Sequence, residues 1–173
     1  MISDVYWINE AASGEKQLGI MARPRGNDWL DDEIKGLMIR SVDCLVSLLE
    51  TSEAWDLGLE GEAEACQNWG MEFINYPIPD VHPPGEEASF LQLVARLAEL
   101  VRQGKKVVIH CRMGIGRSST LAAAVLINLG MPSEQIFEVI GKYRRVKVPD
   151  TPTQADWIQS RAERIRDAKW ERS

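Results

Sequence analysis

Val107-Val108-Ile109-His110-Cys111-Arg112-Met113-Gly114-Ile115-Gly116-Arg117-Ser118 is the stretch on which the reading of this chain turns. Its first three residues are apolar and β-branched, the mark of a short buried strand. Leu121 to Leu129, beyond it, is almost wholly apolar, as in a buried helix. The residues between form a loop that leaves a strand and feeds a helix N-terminus. Unpaired backbone N–H groups and the positive end of the helix dipole meet at such a point, which favours anions. Gly114 and Gly116 have access to backbone conformations closed to other residues, so the loop can curl until its N–H groups converge. Arg117, where the helix begins, adds a planar fork of donors suited to two phosphate oxygens. Cys111 falls at the floor of the same bowl, where a positive field favours thiolate over thiol and creates a nucleophile. An ordinary core cysteine or helix-end arginine would explain either residue alone. Their spacing around two glycines, with a hydroxyl at Ser118, points to phosphate chemistry.

Working outward, strand and helix patterns alternate along the chain. Tyr6-Trp7-Ile8 and Leu18 to Met21 read as two opening strands, and Asp28 to Ile39 as a helix with acids in its first turn. Leu45 to Leu49 reads as a buried strand, Glu60 to Trp69 as a helix, and Met71 to Tyr76 as another strand. Pro77, Pro79, Pro83 and Pro84 force a loop. Phe90, Leu93, Val94, Leu97, Leu100 and Val101 then recur at helical spacing as far as Gly104. After the central helix, which Gly130 and Pro132 end, two further helices are expected, starting near Ser133 and Thr151. The pattern predicts an α/β fold with a mostly parallel sheet of about five strands flanked by helices. Ligands of such folds sit at the carboxyl ends of the strands, where Cys111 and Asp80 both fall.

The chain has 173 residues, 45% of them hydrophobic, which suits one well-buried core and one domain over residues 1–173. Met1-Ile2-Ser3-Asp4 carries neither a basic region nor a long apolar stretch, so a cytoplasmic protein is expected. Cys44, Cys66 and Cys111 show no paired or metal-ligand spacing, so neither a disulfide framework nor a metal site is expected. A net charge of -6 argues against nucleic acid or an anionic membrane as partner. The positive field must be local, with Arg112, Arg117, Arg23 and Arg25 as its contributors. Lys142, Arg144, Arg145 and Lys147 read as a separate solvated cluster at a helix end.

His110-Cys111, five residues, then Arg117-Ser118 resembles the signature of the cysteine-dependent protein tyrosine and dual-specificity phosphatases. Tyr76-Pro77-Ile78-Pro79-Asp80 resembles the family's mobile loop with its general-acid aspartate, and Thr151-Pro152-Thr153-Gln154 its late glutamine segment. The Gly-X-Gly-Arg ending and the segment order are most similar to the kinase-associated phosphatase branch and its bacterial relatives. The resemblance implies a protein tyrosine phosphatase-like fold and hydrolysis of phosphotyrosine, with phosphoserine and phosphothreonine as further substrates. It implies a phosphocysteine intermediate and no cofactor.

Under that resemblance the backbone of Arg112, Met113, Gly114, Ile115, Gly116 and Arg117 holds the phosphate while Cys111 attacks, and Asp80 protonates the leaving group. Asp80 competes with a plain turn aspartate; Asp4, Asp28, Asp43 and Asp150 lack its context. Ser118 would stabilise the departing thiolate, and His110 would orient the loop. Gln154 has two readings that stay open: it orients the hydrolytic water, or it closes a capping box with Thr151. The family's fuller pattern has a second glutamine four residues earlier, where Asp150 stands. Arg23 and Arg25 are candidates for the substrate rim, an exposed loop being the competing reading. The expected partners are a phosphorylated protein or peptide and inorganic phosphate or another oxyanion, with a monomer as the expected state. Three other functions compete: a phosphatase of inositol lipids or other non-protein phosphates, a non-catalytic phosphate-binding module, and a rhodanese-like sulfurtransferase.

Overall fold

The computed structural model describes residues 2–172. In chain order the strands are β1 (Tyr6–Trp7), β2 (Leu18–Met21), β3 (Cys44–Ser47), β4 (Glu72–Asn75) and β5 (Val107–His110). The helices are α1 (Leu30–Ile39, preceded by a 3-10 turn over Asn27–Trp29), α2 (Thr51–Asp56), α3 (Glu62–Asn68) and α4 (Glu87–Arg102). After β5 come α5 (Arg117–Asn128), α6 (Ile136–Arg144), α7 (Pro152–Gln159) and α8 (Ala162–Asp167). The strands form one sheet in the order β1-β2-β5-β3-β4, parallel throughout except for β1, which pairs antiparallel with β2. This is the α/β fold that the alternating pattern predicts.

Strand β5 lies at the middle because both of its faces are apolar, as a parallel strand covered on two sides requires. Val107 and Ile109 join a core with Leu18, Ile20, Val46, Phe90, Leu97 and most of α5. Val108 points the other way, into a core with Met21, Leu45, Ile34, Leu37 and Leu59. The register places Val107 between Leu18 and Cys44, and His110 between Met21 and Ser47. Every residue of α5 is buried, so the helix that receives the phosphate loop is held on all sides. Each buried Leu, Ile or Val contributes roughly 1.5–3 kcal/mol of transfer free energy to that anchorage.

Two helices have no counterpart in the apolar periodicity. Neither α2 nor α8 is long enough to show a helical stripe, and each is set by hydrogen bonds instead. At α2 the Glu50 and Glu53 side chains exchange bonds with each other's backbone N–H in a capping box. At α8 the amide of Asn128 donates to the carbonyls of Ile165 (2.8 Å) and Ala168 (2.9 Å), tying its last turn to α5. Among the described residues no helix is long and apolar enough to cross a membrane.

Candidate active site

Because β2, β3, β4 and β5 run parallel, the loops after them open on one edge of the sheet. The loop after β5 begins with Cys111. The chain after β3 leads into α2 and Glu53, the chain after β4 carries Ile78 and Asp80, and that after β2 reaches the loop through Arg23, whose backbone N–H donates to the Arg112 carbonyl at 3.1 Å.

The two glycines of the loop serve different ends. Gly114 has φ +70°, the left-handed region, and a Cβ there would stand 2.7 Å from the Met21 carbonyl. Gly116 has φ -83°, which any residue adopts, so the expected special conformation is confined to Gly114. What Gly116 supplies is room: its Cβ would lie 2.2 Å from Asp150 Oδ2 and 3.0 Å from Gln154 Nε2. The outer face of the loop is gripped by Arg144, which donates to the carbonyls of Gly114 (2.8 Å) and Met113 (2.9 Å) while its guanidinium lies 4.3 Å over the Tyr6 ring. Arg144 is thus a brace of the loop rather than part of a solvated cluster. Helix α6 brings it beneath β1, a contact that the linear sequence does not display.

At the floor, Cys111 is 3% exposed and its Sγ lies 3.3 Å from Ser118 Oγ. His110 is fully buried, with Nδ1 3.1 Å from the Cys111 carbonyl and Nε2 2.5 Å from Glu62 Oε2. Both ring nitrogens face acceptors, so both must donate, which is the hydrogen-bonding pattern of an imidazolium. Burial works against that charge, but the Glu62 carboxylate and the Cys111 carbonyl outweigh it and raise the His110 pKa. Arg117 is 1% exposed and is held by Glu53 through both terminal nitrogens, at 2.7 and 3.0 Å, and by the Ile78 carbonyl at 2.9 Å. Burial would push the Glu53 carboxyl up, yet its bonds from Arg117 and the Glu50 N–H hold it below the ordinary range. Arg117 Nε alone of the guanidinium nitrogens is buried without a hydrogen-bond partner.

The rim is built otherwise. Asp80, with its side chain 56% exposed, places Oδ1 3.2 Å from the other terminal nitrogen of Arg117, and the same oxygen accepts from Val81 N–H at 3.0 Å. Gln154 is fully buried and closes the capping box: its N–H donates to Thr151 Oγ1 and its Oε1 accepts from Thr151 N–H, each at 3.2 Å. Its Nε2 reaches over Gly116 toward the His82 carbonyl at 3.5 Å. The cap is therefore made, and the free end of the same amide lies at the loop. Arg112 is exposed beside Met113, and the Arg23 guanidinium turns to the Pro24 carbonyl. Arg25 is directed at α1, pairing with Glu33 at 2.6 Å and lying 4.6 Å over the Trp29 ring.

Glu53, Glu62 and Arg144 are drawn to the site by the fold and went unremarked as site residues in the sequence, where Asp150 was noted only as standing in place of a family glutamine. Glu53 left a trace there, since Glu50-Thr51-Ser52-Glu53 has the spacing of a cap. For Glu62 the only signal is a glutamate in a short helix that must bury one face.

A buried cysteine at the head of a strand-to-helix loop, an arginine fixed by the largely buried carboxylate of Glu53 and an aspartate beside it at the rim, on this α/β sheet, are the features of a cysteine-dependent phosphatase of the protein tyrosine and dual-specificity class. Residues 19–131 match the family described as the DSP-PTPase phosphatase of polymorphic toxin systems, and the chain belongs to that family. Cyclin-dependent kinase inhibitor 3 of Rattus norvegicus is 35% identical over 63 residues, which cover 36% of this chain and 29% of that protein, so less than a third of the relative's length is spanned. Kinase associated phosphatase, solved with serine in place of its catalytic-site cysteine, is similar at a TM-score of 0.86 with 18% identity, over 96% of this chain and 98% of its own. Tk-PTP in its active form is 26% identical at a TM-score of 0.73, over 92% and 97% of the two chains. PTPMT1 is 21% identical at 0.75, over 94% and 96%.

Proposed function

We propose that this protein hydrolyses phosphate monoesters of phosphoproteins, phosphotyrosine foremost and phosphoserine or phosphothreonine as well, through a phosphocysteine intermediate. The observation that carries the reading is that Cys111, its Sγ beside Ser118 Oγ, and Arg117 are buried at the two ends of one loop, with Arg117 Nε left as a buried donor that has no protein partner. A buried N–H without a partner is costly, and a phosphate oxygen would satisfy it. Converging loop amides and Arg117 would hold the three equatorial oxygens while the Cys111 thiolate attacks in line.

Asp80 would give its proton to the departing oxygen and then take one from the water that cleaves the phosphocysteine. Ser118 Oγ, beside Sγ, would stabilise the thiolate leaving in that second step, and Gln154 Nε2 would help to place the water. His110, ion-paired with Glu62, would hold the Cys111 carbonyl and so the pitch of the loop. The exposed carboxylates of Asp80 and Asp150 at the rim favour a peptide over a multiply phosphorylated lipid headgroup, whose further phosphates they would repel.

The test is release of phosphate from phosphotyrosine, phosphoserine and phosphothreonine peptides and from phosphoinositides by wild type and Cys111→Ser. Wild-type turnover of phosphopeptides, abolished by Cys111→Ser, is expected. Turnover retained by a contamination-free variant would sink the mechanism, and preferential hydrolysis of phosphoinositides would move the substrate class to lipids.

A further inference from the structure

The phosphate loop borders a groove that the chemistry above does not use. Ile115, half-buried between the two loop glycines, forms one wall, and the groove continues along Phe137 of α6, Val146 and Val148 of the segment beyond that helix, and Ala155 of α7. It encloses about 460 Å³, within the range of roughly 300–1,000 Å³ in which ligand sites fall. Both of its far walls are fixed by backbone. The N–H groups of Arg145 and Val146 donate back to the Gly141 carbonyl at 2.7 and 3.3 Å, which folds the segment after α6 onto the helix end. The capping box of Thr151 and Gln154 sets the start of α7 opposite. The loop wall is held as well, since Arg144 bonds the carbonyls of Met113 and Gly114 just before Ile115.

We propose that this groove is a specificity subsite, taking an uncharged apolar side chain that flanks the phosphorylated residue of a peptide substrate. The inference rests on the phosphoprotein phosphatase reading and narrows its substrate class. Position follows from continuity: Ile115 belongs to the loop that would hold the phosphate, so the groove starts at the edge of that site. A peptide whose phosphorylated side chain enters the loop crosses its mouth, and an extended chain advances about 3.3–3.6 Å per residue, so a near neighbour passes over the groove. Chemistry follows from the lining. Its charges are one of each sign, Lys147 and Asp150, so a charged side chain finds attraction and repulsion together. Val146 is exposed, and Ile115, Phe137 and Ala155 are half-buried, so an apolar side chain laid among them removes apolar surface from water on both partners. An acyl chain would meet the same walls, but the rim carboxylates oppose the charged headgroup that would bring it.

The experiment measures kcat/KM on polar phosphotyrosine peptides in which leucine replaces serine at each nearby position in turn, with phenyl phosphate as a substrate too small to reach the groove. Leucine at one position is expected to raise the wild-type value about tenfold, near the low end of what burying that side chain yields. Val146→Asn removes an apolar wall and Ala155→Phe fills the groove; each should reduce the preference to about twofold or less while turnover of phenyl phosphate holds within about twofold of wild type. Val146 is exposed, so its variant decides the matter should Ala155→Phe fail to fold. A wild type indifferent to leucine at every position, or a preference that survives Val146→Asn undiminished, would overturn the proposal. Variants that lose turnover of long-chain phosphoinositides, with peptide preference intact, would give the groove to a lipid and overturn it too. A folded wild type with no turnover of phenyl phosphate would instead overturn the phosphatase reading itself, and the proposal with it.

Discussion

At the floor of the loop, Cys111, Arg117, Ser118 and His110 are buried and come from one continuous stretch; at the rim, Asp80 and Asp150 are exposed and come from loops far apart in the sequence. The floor carries two buried cations, and each has a buried or nearly buried carboxylate against it: Glu53 on Arg117 and Glu62 on His110. A buried charge without a partner costs several kcal/mol, so this part of the site is fixed by the same pairs that keep the protein folded. The rim carboxyls face solvent, and Asp80 meets Arg117 only at the exposed end of that pair. A side chain that is to exchange protons with substrate and water has to stand where both can reach it, and under the proposed reading that is the place of Asp80. Under the proposed function the fixed charge below would bind phosphate and the exposed carboxyl above would transfer the proton.

The sharpest test of the fixed part is Arg117→Lys. A lysine keeps the charge but cannot meet both oxygens of Glu53, the Ile78 carbonyl and a phosphate together. The loss of one transition-state donor suggests a fall in kcat of about 10² to 10³. Steady-state kinetics on an aryl phosphate checks it. A change of only a few-fold would show that charge alone, without the planar fork, is what the floor provides.

Next in size is Glu62→Gln, which removes the counter-charge of His110 and leaves the rim untouched. A hydrogen bond to a charged group contributes about 1.5–3 kcal/mol, and a destabilisation of that order is expected in denaturant unfolding. Its pH dependence has a definite sign. The folded pKa of His110 is raised, so the stability that the pair supplies is fully present below the unfolded value near ~6.5 and is lost as pH rises through the folded value. The difference between wild type and variant should therefore be larger at mildly acid pH and shrink toward alkaline pH. A difference that grew with pH would mean that the pair is not an imidazolium and a carboxylate.

How far the sequence reveals this site depends on the same division. The floor is contiguous, so its spacing could be read directly: Cys111, Arg117 and Ser118 stand together because the strand β5, the turn and α5 are local structure. The short continuous apolar runs of β2, β3 and β5 likewise mark them as strands buried on both faces. The partners of the floor were not legible. Glu53 and Glu62 arrive through the packing of short helices on the sheet, and nothing in their local sequence says that they meet an arginine or a histidine. Arg144 was legible as a helix-end cation but not as a brace, because its acceptors are carbonyls that only the curled loop exposes. Gln154 shows a third case: one end of its amide makes the cap while the other lies near Gly116, so the cap leaves Nε2 available for the water-placing role proposed above.

The smallest effect is expected where floor and rim meet the outside of the loop, at Arg144. Its two hydrogen bonds fix the carbonyls of Met113 and Gly114, and because the N–H of a peptide points opposite to its C=O, they would hold the N–H groups of the same peptides toward a phosphate bound in the loop. Both carbonyls could bond water in its absence, so the loss should be near the net worth of a single hydrogen bond, about 1 kcal/mol, or roughly fivefold in binding. Arg144→Ala should then raise the KM for an aryl phosphate and the inhibition constant of inorganic phosphate together, with little change in kcat, since the brace acts on the ground state and the transition state alike. Arg144→Lys separates the two ways in which the residue could act. If the brace matters, lysine, which cannot span two carbonyls with a planar fork, will behave as alanine does. If the positive charge matters instead, lysine will restore affinity, the effect will fade with added salt, and the field at the outside of the loop will have to be counted with the fixed charge of the floor.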